Sequence, residues 1–208
     1  MNGETTEDIS LSESDTYILH GTYTIGQGVK AFFGAGGKVE QGTLVLSGNN
    51  TISVAAGNTL DFRSDLTSFN NSTIVGGTLG LYTFKNPARF YISSGNLNVS
   101  SDLDGWYFGG FRKDGLGTLT LNGDDNSDYY VGINAGTVRV ASRASLAVGS
   151  LFGTPQGTLQ IDNGGIAIVS VPSNFSGKVL GTGTLGMYGR LLAVEDGSYH
   201  ISNVPTPS

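Results

Sequence analysis

Cysteine is absent from this 208-residue chain, and its only histidines are His20 and His200. Without cysteine the chain cannot form a disulfide scaffold or a thiolate metal site. The histidines stand near opposite ends of the sequence, so we predict neither a zinc site nor a catalytic triad. The lack of cysteine also suits a protein that is exported in the unfolded state.

Charge and long apolar runs are scarce as well. Charged residues make up 13% of the chain, and the net charge is −6. This negative charge argues against nucleic-acid binding and offers no basic patch to anionic lipid. No apolar run approaches the roughly 18 residues of a membrane-spanning helix, so we expect no membrane insertion. The first residues lack the basic and apolar regions of a secretory signal. We expect either assembly without an export signal or a mature piece of a longer protein.

Glycine, by contrast, is abundant, with 33 copies. Glycines separate short runs in which apolar and polar residues alternate, as they do in half-buried β-strands. No window has the 3.6-residue apolar stripe of a helix. The pattern therefore predicts many short strands joined by glycine turns, without helix.

A short unit of the form Gly-Thr-Leu, or a close variant, recurs along the chain. Its first apolar residue returns every 16–26 residues. The positions are Leu44, Leu60, Leu79, Leu97, Leu119, Val138, Leu159 and Leu185. Repeats at such a spacing are typical of a solenoid.

The repeats predict one all-β domain, a single-stranded right-handed parallel β-helix. About ten coils at roughly 4.8 Å each would give a rod about 45–50 Å long. In the strand 118–121 the leucines should face inward and the threonines outward, with glycines turning the corners at positive φ. We assign 1–15 to an N-terminal tail or cap, 16–191 to the repeats and 192–208 to a C-terminal cap and tail. The open strand edges at both ends must be capped or paired.

The clearest unit reads Lys-Asp-Gly-Leu-Gly-Thr-Leu-Thr-Leu at residues 113–121. A turn with Asn126, Tyr129 and Tyr130 follows, and then Ile-Asn-Ala-Gly-Thr-Val at residues 133–138. This stretch resembles the autotransporter-associated β-strand repeat of bacterial passenger domains, whose members open with Lys-x-Gly-x-Gly-Thr-Leu-x-Leu. The match covers about 30 residues, with looser echoes elsewhere.

The resemblance implies a β-helix of the passenger-domain kind. We predict a non-enzymatic structural β-solenoid at an extracellular bacterial surface, concerned with adhesion, display or self-assembly. The alternative is a bacteriophage virion fibre, spike or decoration protein, because the same repeat can serve in a virion appendage. Expected partners are other copies of the chain or neighbouring surface or virion proteins, and glycans are a further candidate.

A third hypothesis is a polysaccharide-degrading β-helix enzyme. Such enzymes gather carboxylates on one face of adjacent coils, and Asp61 with Asp65, or Asp102 with Asp104, could supply an acid and a base. Neither pair has a cluster of Arg, Lys or His near it in sequence, so we favour ordinary loop polarity.

Asp124, Asn126 and Asp128 have the spacing that opens a calcium loop. The glycine and glutamate that such a loop needs later are replaced by Tyr129 and Ala135. We therefore favour a solvated polar turn and expect no cofactor, with Ca²⁺ as the weaker alternative.

Aromatic residues are concentrated around the central unit, and they are our candidates for contact with a partner subunit or a sugar. These candidates are Trp106, Tyr107, Phe108, Phe111, Tyr129 and Tyr130. A lateral cover over the core is the alternative role for the same side chains.

Overall fold

The computed structural model describes residues 3–13, 15–81, 88–124, 126–170, 175–187, 190–193 and 199–201. Within these ranges all regular structure is β-strand, and the strands form one continuous sheet. The described residues include no helix that is long and apolar enough to cross a membrane. The predicted all-β class is confirmed.

The strands are short, and most are separated by tight turns. In chain order they are β1 (Gly3–Thr5), β2 (Ile9–Leu11), β3 (Thr16–Ile18), β4 (Thr22–Ile25), β5 (Lys30–Phe33), β6 (Gly37–Leu46), β7 (Thr51–Val54), β8 (Thr59–Ser68), β9 (Ser72–Val75), β10 (Thr78–Gly80), β11 (Ala88–Ile92), β12 (Asn96–Val99), β13 (Asp102–Asp114), β14 (Thr118–Leu121), β15 (Asn126–Ile133), β16 (Gly136–Val140), β17 (Ser145–Gly153), β18 (Gly157–Ile161), β19 (Ile166–Val169), β20 (Phe175–Gly181), β21 (Thr184–Met187), β22 (Arg190–Ala193) and β23 (Tyr199–Ile201).

Parallel pairing sorts these strands into three faces. The first face contains β3, β10, β19, β21 and the opening parts of β6, β8, β13, β15 and β17. The second face contains β1, β4, β11 and the closing parts of β6, β8, β13, β15 and β17. The third face contains β2, β5, β7, β9, β12, β14, β16, β18 and β20.

The chain therefore winds as a parallel β-solenoid of about eight turns. The predicted fold class is confirmed, and the number of turns is somewhat lower than the ten expected. At about 4.8 Å a turn the rod is about 38 Å long. The number of turns is lower than expected because the Gly-Thr-Leu units do not all lie on the same face. Leu97, Leu119 and Val138 stack on the third face, whereas Leu60 and Leu79 stack on the first. Spacing between units on different faces is not one full coil.

The interior has the arrangement that the alternation of apolar and polar residues predicted. Leu119 and Leu121 of β14 are fully buried, and Leu119 lies between Leu97 and Val138 in the ladder. Thr118 is half-buried on the outside. Thr120 also faces outward but is covered, and its hydroxyl donates to the Asn96 side chain at 2.8 Å.

Glycines are required at the corners for two different reasons. Gly136 turns its corner at a φ of 69°, a conformation that other residues rarely adopt. Gly157 lacks a positive φ, but a Cβ there would collide with the carbonyl of Ile133 on the coil before it. Some corners therefore require glycine because of the predicted positive φ, and others require it because the backbones of adjacent coils approach closely.

The two ends of the solenoid differ. At the C-terminal end the strand direction reverses, because β22 is antiparallel to β21 and β23 is antiparallel to β20. At the N-terminal end β1 and β2 pair in parallel with β4 and β5. The ladders thus begin inside the segment 1–15. The Asp8 carboxylate accepts the backbone N–H of Lys30 at 2.8 Å.

Candidate functional site

Of the central aromatic candidates, the structure describes the side chains of Phe111 and Tyr130, and these two face opposite sides of the sheet. Phe111 is fully buried, and its ring packs edge-on against Phe90 with centroids 5.5 Å apart. The prediction that Phe111 contacts a partner is wrong, because its side chain points inward from β13. Tyr130 is half-buried on the outside, where its ring lies 6.4 Å from that of Phe152. The side chains of Trp106, Tyr107, Phe108 and Tyr129 lie outside the described part of the structure.

The predicted calcium loop leads into β15. Asp124 is exposed, and its backbone carbonyl accepts the hydroxyl of Ser145. The side chains of Asn126 and Asp128 lie outside the described part, although their backbone pairs with β17. Among the described residues no three acidic or histidine side chains come together to hold a metal.

The winding of the chain separates one of the two predicted acid and base pairs, whereas Asp102 and Asp104 stay together on the first face. Asp61 lies on the first face and Asp65 on the second, so that pair is separated. Asp61 and Asp104 instead lie in one ladder of the first face, with Gly80 between them. Burial raises the pKa of Asp61, the nearby Arg63 opposes this, and Asp104 raises it further.

A groove opens on the outside of the second face, and we name it the Arg89–Tyr91 groove. Its volume is about 340 Å³. The lining residues are Thr43, Asp65, Leu66, Thr67, Arg89 and Tyr91. The stacking register explains the shape. Asp65 lies between Thr43 and the longer Arg89 in one row, and Thr67 is followed by Tyr91 in the adjacent row. The step from short to long side chains leaves the concavity.

Asp114 fixes the orientation of the arginine beside the groove. Its carboxylate accepts one hydrogen bond from Nε of Arg89 at 2.7 Å and another from Nδ2 of Asn134 at 3.0 Å. Nε of Arg112 lies 3.3 Å from the same carboxylate. Burial alone would raise the pKa of Asp114, but the hydrogen bonds from Arg89 and Asn134 and both arginine charges hold it below its ordinary value. The guanidinium carbon of Arg89 lies 5.4 Å from the ring centroid of Tyr91.

Sequence reasoning missed the role of Lys113. This lysine is fully buried in the core and donates from Nζ to three backbone carbonyls. The acceptors are Asp114 and Gly115, each at 2.8 Å, and Ala135 at 3.1 Å on the next coil. Alternation from Phe111 could have predicted an inward lysine, because the two residues are two positions apart in one strand.

The repeat stretches match a known family. The passenger-associated-transport-repeat family matches residues 38–60 and 111–140. No curated protein and no solved structure matches the chain. The first match runs from β6 into β8, and the second begins in β13 and ends with β16. The second contains the buried Lys113 and the glycine corners of the central unit. Two stretches of the chain thus match the passenger-associated-transport-repeat model, which confirms the predicted resemblance to the autotransporter-associated β-strand repeat.

Proposed function

We propose that the chain is a non-enzymatic, structural segment of an autotransporter-like passenger, displayed as a stiff rod at a bacterial surface. The observation that carries this proposal is that both family matches lie on strands of the parallel solenoid. Coils of this kind bury their apolar faces only by stacking on their neighbours. A chain that emerges from one end can therefore fold coil by coil on what has already formed.

The interior supports a structural role. Its inner ladders are mainly aliphatic and continuous from Leu19 near one end to Leu185 near the other. The buried amine of Lys113 donates to backbone carbonyls. The chain also contains no cysteine, so no disulfide can form before export and obstruct passage of an unfolded chain.

Surface display tests the proposal directly. The chain is fused between a secretion signal and a translocating barrel, and an epitope tag is detected on intact cells. We expect the tag outside and a core that resists added trypsin. Retention of the wild-type fusion in the periplasm, or complete digestion of the displayed chain, would contradict the proposal.

A matched pair of variants in β14 links display to stacking. Leu121 is fully buried in an inner ladder, whereas Thr118 is half-buried on the outside of the same strand. Leu121→Asp places a charge in the core and is expected to make the displayed chain trypsin-sensitive. Thr118→Asp should leave display and resistance unchanged. Equal behaviour of the two variants would argue against a stacked core on the cell.

The aspartates of the first face favour a second candidate, a glycoside hydrolase. Asp61 and Asp104 are two strands apart, so their Cα atoms are about 10 Å from each other. An acid with a raised pKa opposite a second carboxylate is the arrangement of an inverting hydrolase. Release of reducing sugar from acidic polysaccharides, abolished by Asp61→Asn, would establish this candidate. Activity that survives Asp61→Asn, or its absence on the whole panel, would dismiss it.

A further inference from the structure

The Arg89–Tyr91 groove combines an exposed ring with unpaired polar groups. Tyr91 is 37% exposed, so part of this side chain is open to solvent. Within the described residues the carboxylate of Asp65 has no hydrogen-bond or ion-pair partner. Arg89 uses only Nε toward Asp114 in that same part of the chain, which leaves its terminal nitrogens for a ligand.

These groups match the chemistry of a pyranose sugar. A sugar ring has one apolar C–H face, which stacks on an aromatic ring, and a rim of hydroxyls that both donate and accept hydrogen bonds. The Asp65 carboxylate can accept two hydroxyl protons, and the Arg89 nitrogens can donate to hydroxyl oxygens. Thr43 and Thr67 add hydroxyls to the lining of the groove.

Local charge selects a neutral ligand. The groove and its border carry Arg89, Arg112, Asp65 and Asp114. Their formal charges sum to zero, so neither an acidic nor a basic ligand gains from the net field. An anionic sugar would also meet the carboxylate of Asp65 at close range.

The size and direction of the groove are consistent with a short oligosaccharide. Its volume of about 340 Å³ lies at the lower end of the range for small-molecule sites. The rows that line it run from coil to coil, along the rod, so a glycan chain can extend past the groove in that direction.

From these contacts we propose that the Arg89–Tyr91 groove binds a neutral hexose glycan, with Tyr91 as the stacking platform and Asp65 and Arg89 as the hydroxyl partners. Because the site uses only outward side chains, it is independent of whether the chain is a passenger. Binding is measured on the purified chain, so its outcome is separate from that of the display experiment.

The probes are cellotriose, maltotriose and mannotriose, with trigalacturonate as the anionic comparison. Saturation-transfer NMR and calorimetric titration on the full chain should give a millimolar or tighter Kd for at least one neutral trisaccharide and weaker binding of trigalacturonate. Absence of neutral binding up to about 10 mM would overturn the proposal. Preferential binding of trigalacturonate would overturn the assigned ligand class.

Variants locate the site. Tyr91→Ala and Asp65→Asn should each weaken the neutral ligand by about tenfold. Phe32→Ala is the matched control, because Phe32 is an aromatic of similar exposure (42%) on the third face, outside the groove. Circular dichroism confirms that each variant is folded. Equal losses in Tyr91→Ala and Phe32→Ala, or none in Tyr91→Ala, would refute this location.

Discussion

Replacing Lys113 by methionine tests whether the buried amine holds adjacent coils together. Nζ of Lys113 donates to three carbonyls, of Asp114 and Gly115 at 2.8 Å and of Ala135 at 3.1 Å. A hydrogen bond to a charged group contributes about 1.5–3 kcal/mol, whereas burying an ammonium costs several kcal/mol. Methionine keeps the apolar stem but leaves all three carbonyls without this donor. We therefore expect the free energy of unfolding to fall by about 3 kcal/mol.

Equilibrium unfolding in urea, followed by circular dichroism, measures this loss. Lys178→Met is the matched control, because Lys178 is exposed on the outside of β20. The control should change the unfolding free energy by less than about 0.5 kcal/mol. A loss below about 1 kcal/mol for Lys113→Met, or one equal to that of the control, would refute the reasoning.

The same lysine gives a pH dependence with a defined sign. Burial lowers the pKa of Lys113 to about 8, and the carboxylate of Asp114 opposes the shift. Between pH about 8 and the ordinary value of 10.5, the unfolded amine still holds a proton that the folded one has lost. Unfolding then takes up a proton, so the stability of wild type relative to Lys113→Met should rise across this window. A flat or falling difference would contradict the assignment.

Other perturbations have equally defined signs. Ser68 has a buried hydroxyl with no partner among the described residues, so Ser68→Ala should raise the free energy of unfolding by about 1 kcal/mol; a lower urea midpoint would contradict this. Gly136 and Gly57 both have positive φ, but a Cβ would collide with two carbonyls only at Gly136. Gly57→Ala should cost about 1 kcal/mol and Gly136→Ala clearly more, and equal thermal shifts would count against the close approach. Asp162 has its pKa lowered by hydrogen bonds from Arg139, an effect that outweighs burial. Its contribution is present above the ordinary pKa of 3.8 and is lost as the pH falls through the lowered value. Asp162→Asn should therefore destabilise the chain at neutral pH but much less in acid, and an equal loss at both pH values would oppose this.

Local alternation predicted the parts of the fold that depend on one strand. In β14 it placed Leu119 and Leu121 in the core and Thr118 outside, as observed. It could not predict the face on which each unit lies, because that depends on where the corners fall between units. The predicted number of coils was too high for this reason.

The groove could not be predicted from the sequence either, because it depends on how the coils stack. Asp65 and Arg89 are neighbours only because β8 and β11 stack in one particular register. A shift of β11 by one position against β8 would turn the Arg89 side chain to the interior and leave Asp65 outside. Phe111 was wrongly predicted to contact a partner because the prediction relied on its aromatic neighbours in the sequence and not on its inward position in the strand.

The coils are connected in series, since each hydrogen-bonds chiefly to the coil before and the coil after it. Tension applied to the two ends of the rod therefore passes through every interface in turn. The load at which the rod yields is set by its weakest interface, and additional coils give length without added strength. A covalent or ligand-mediated brace across one interface shifts the point of rupture to the next weakest one.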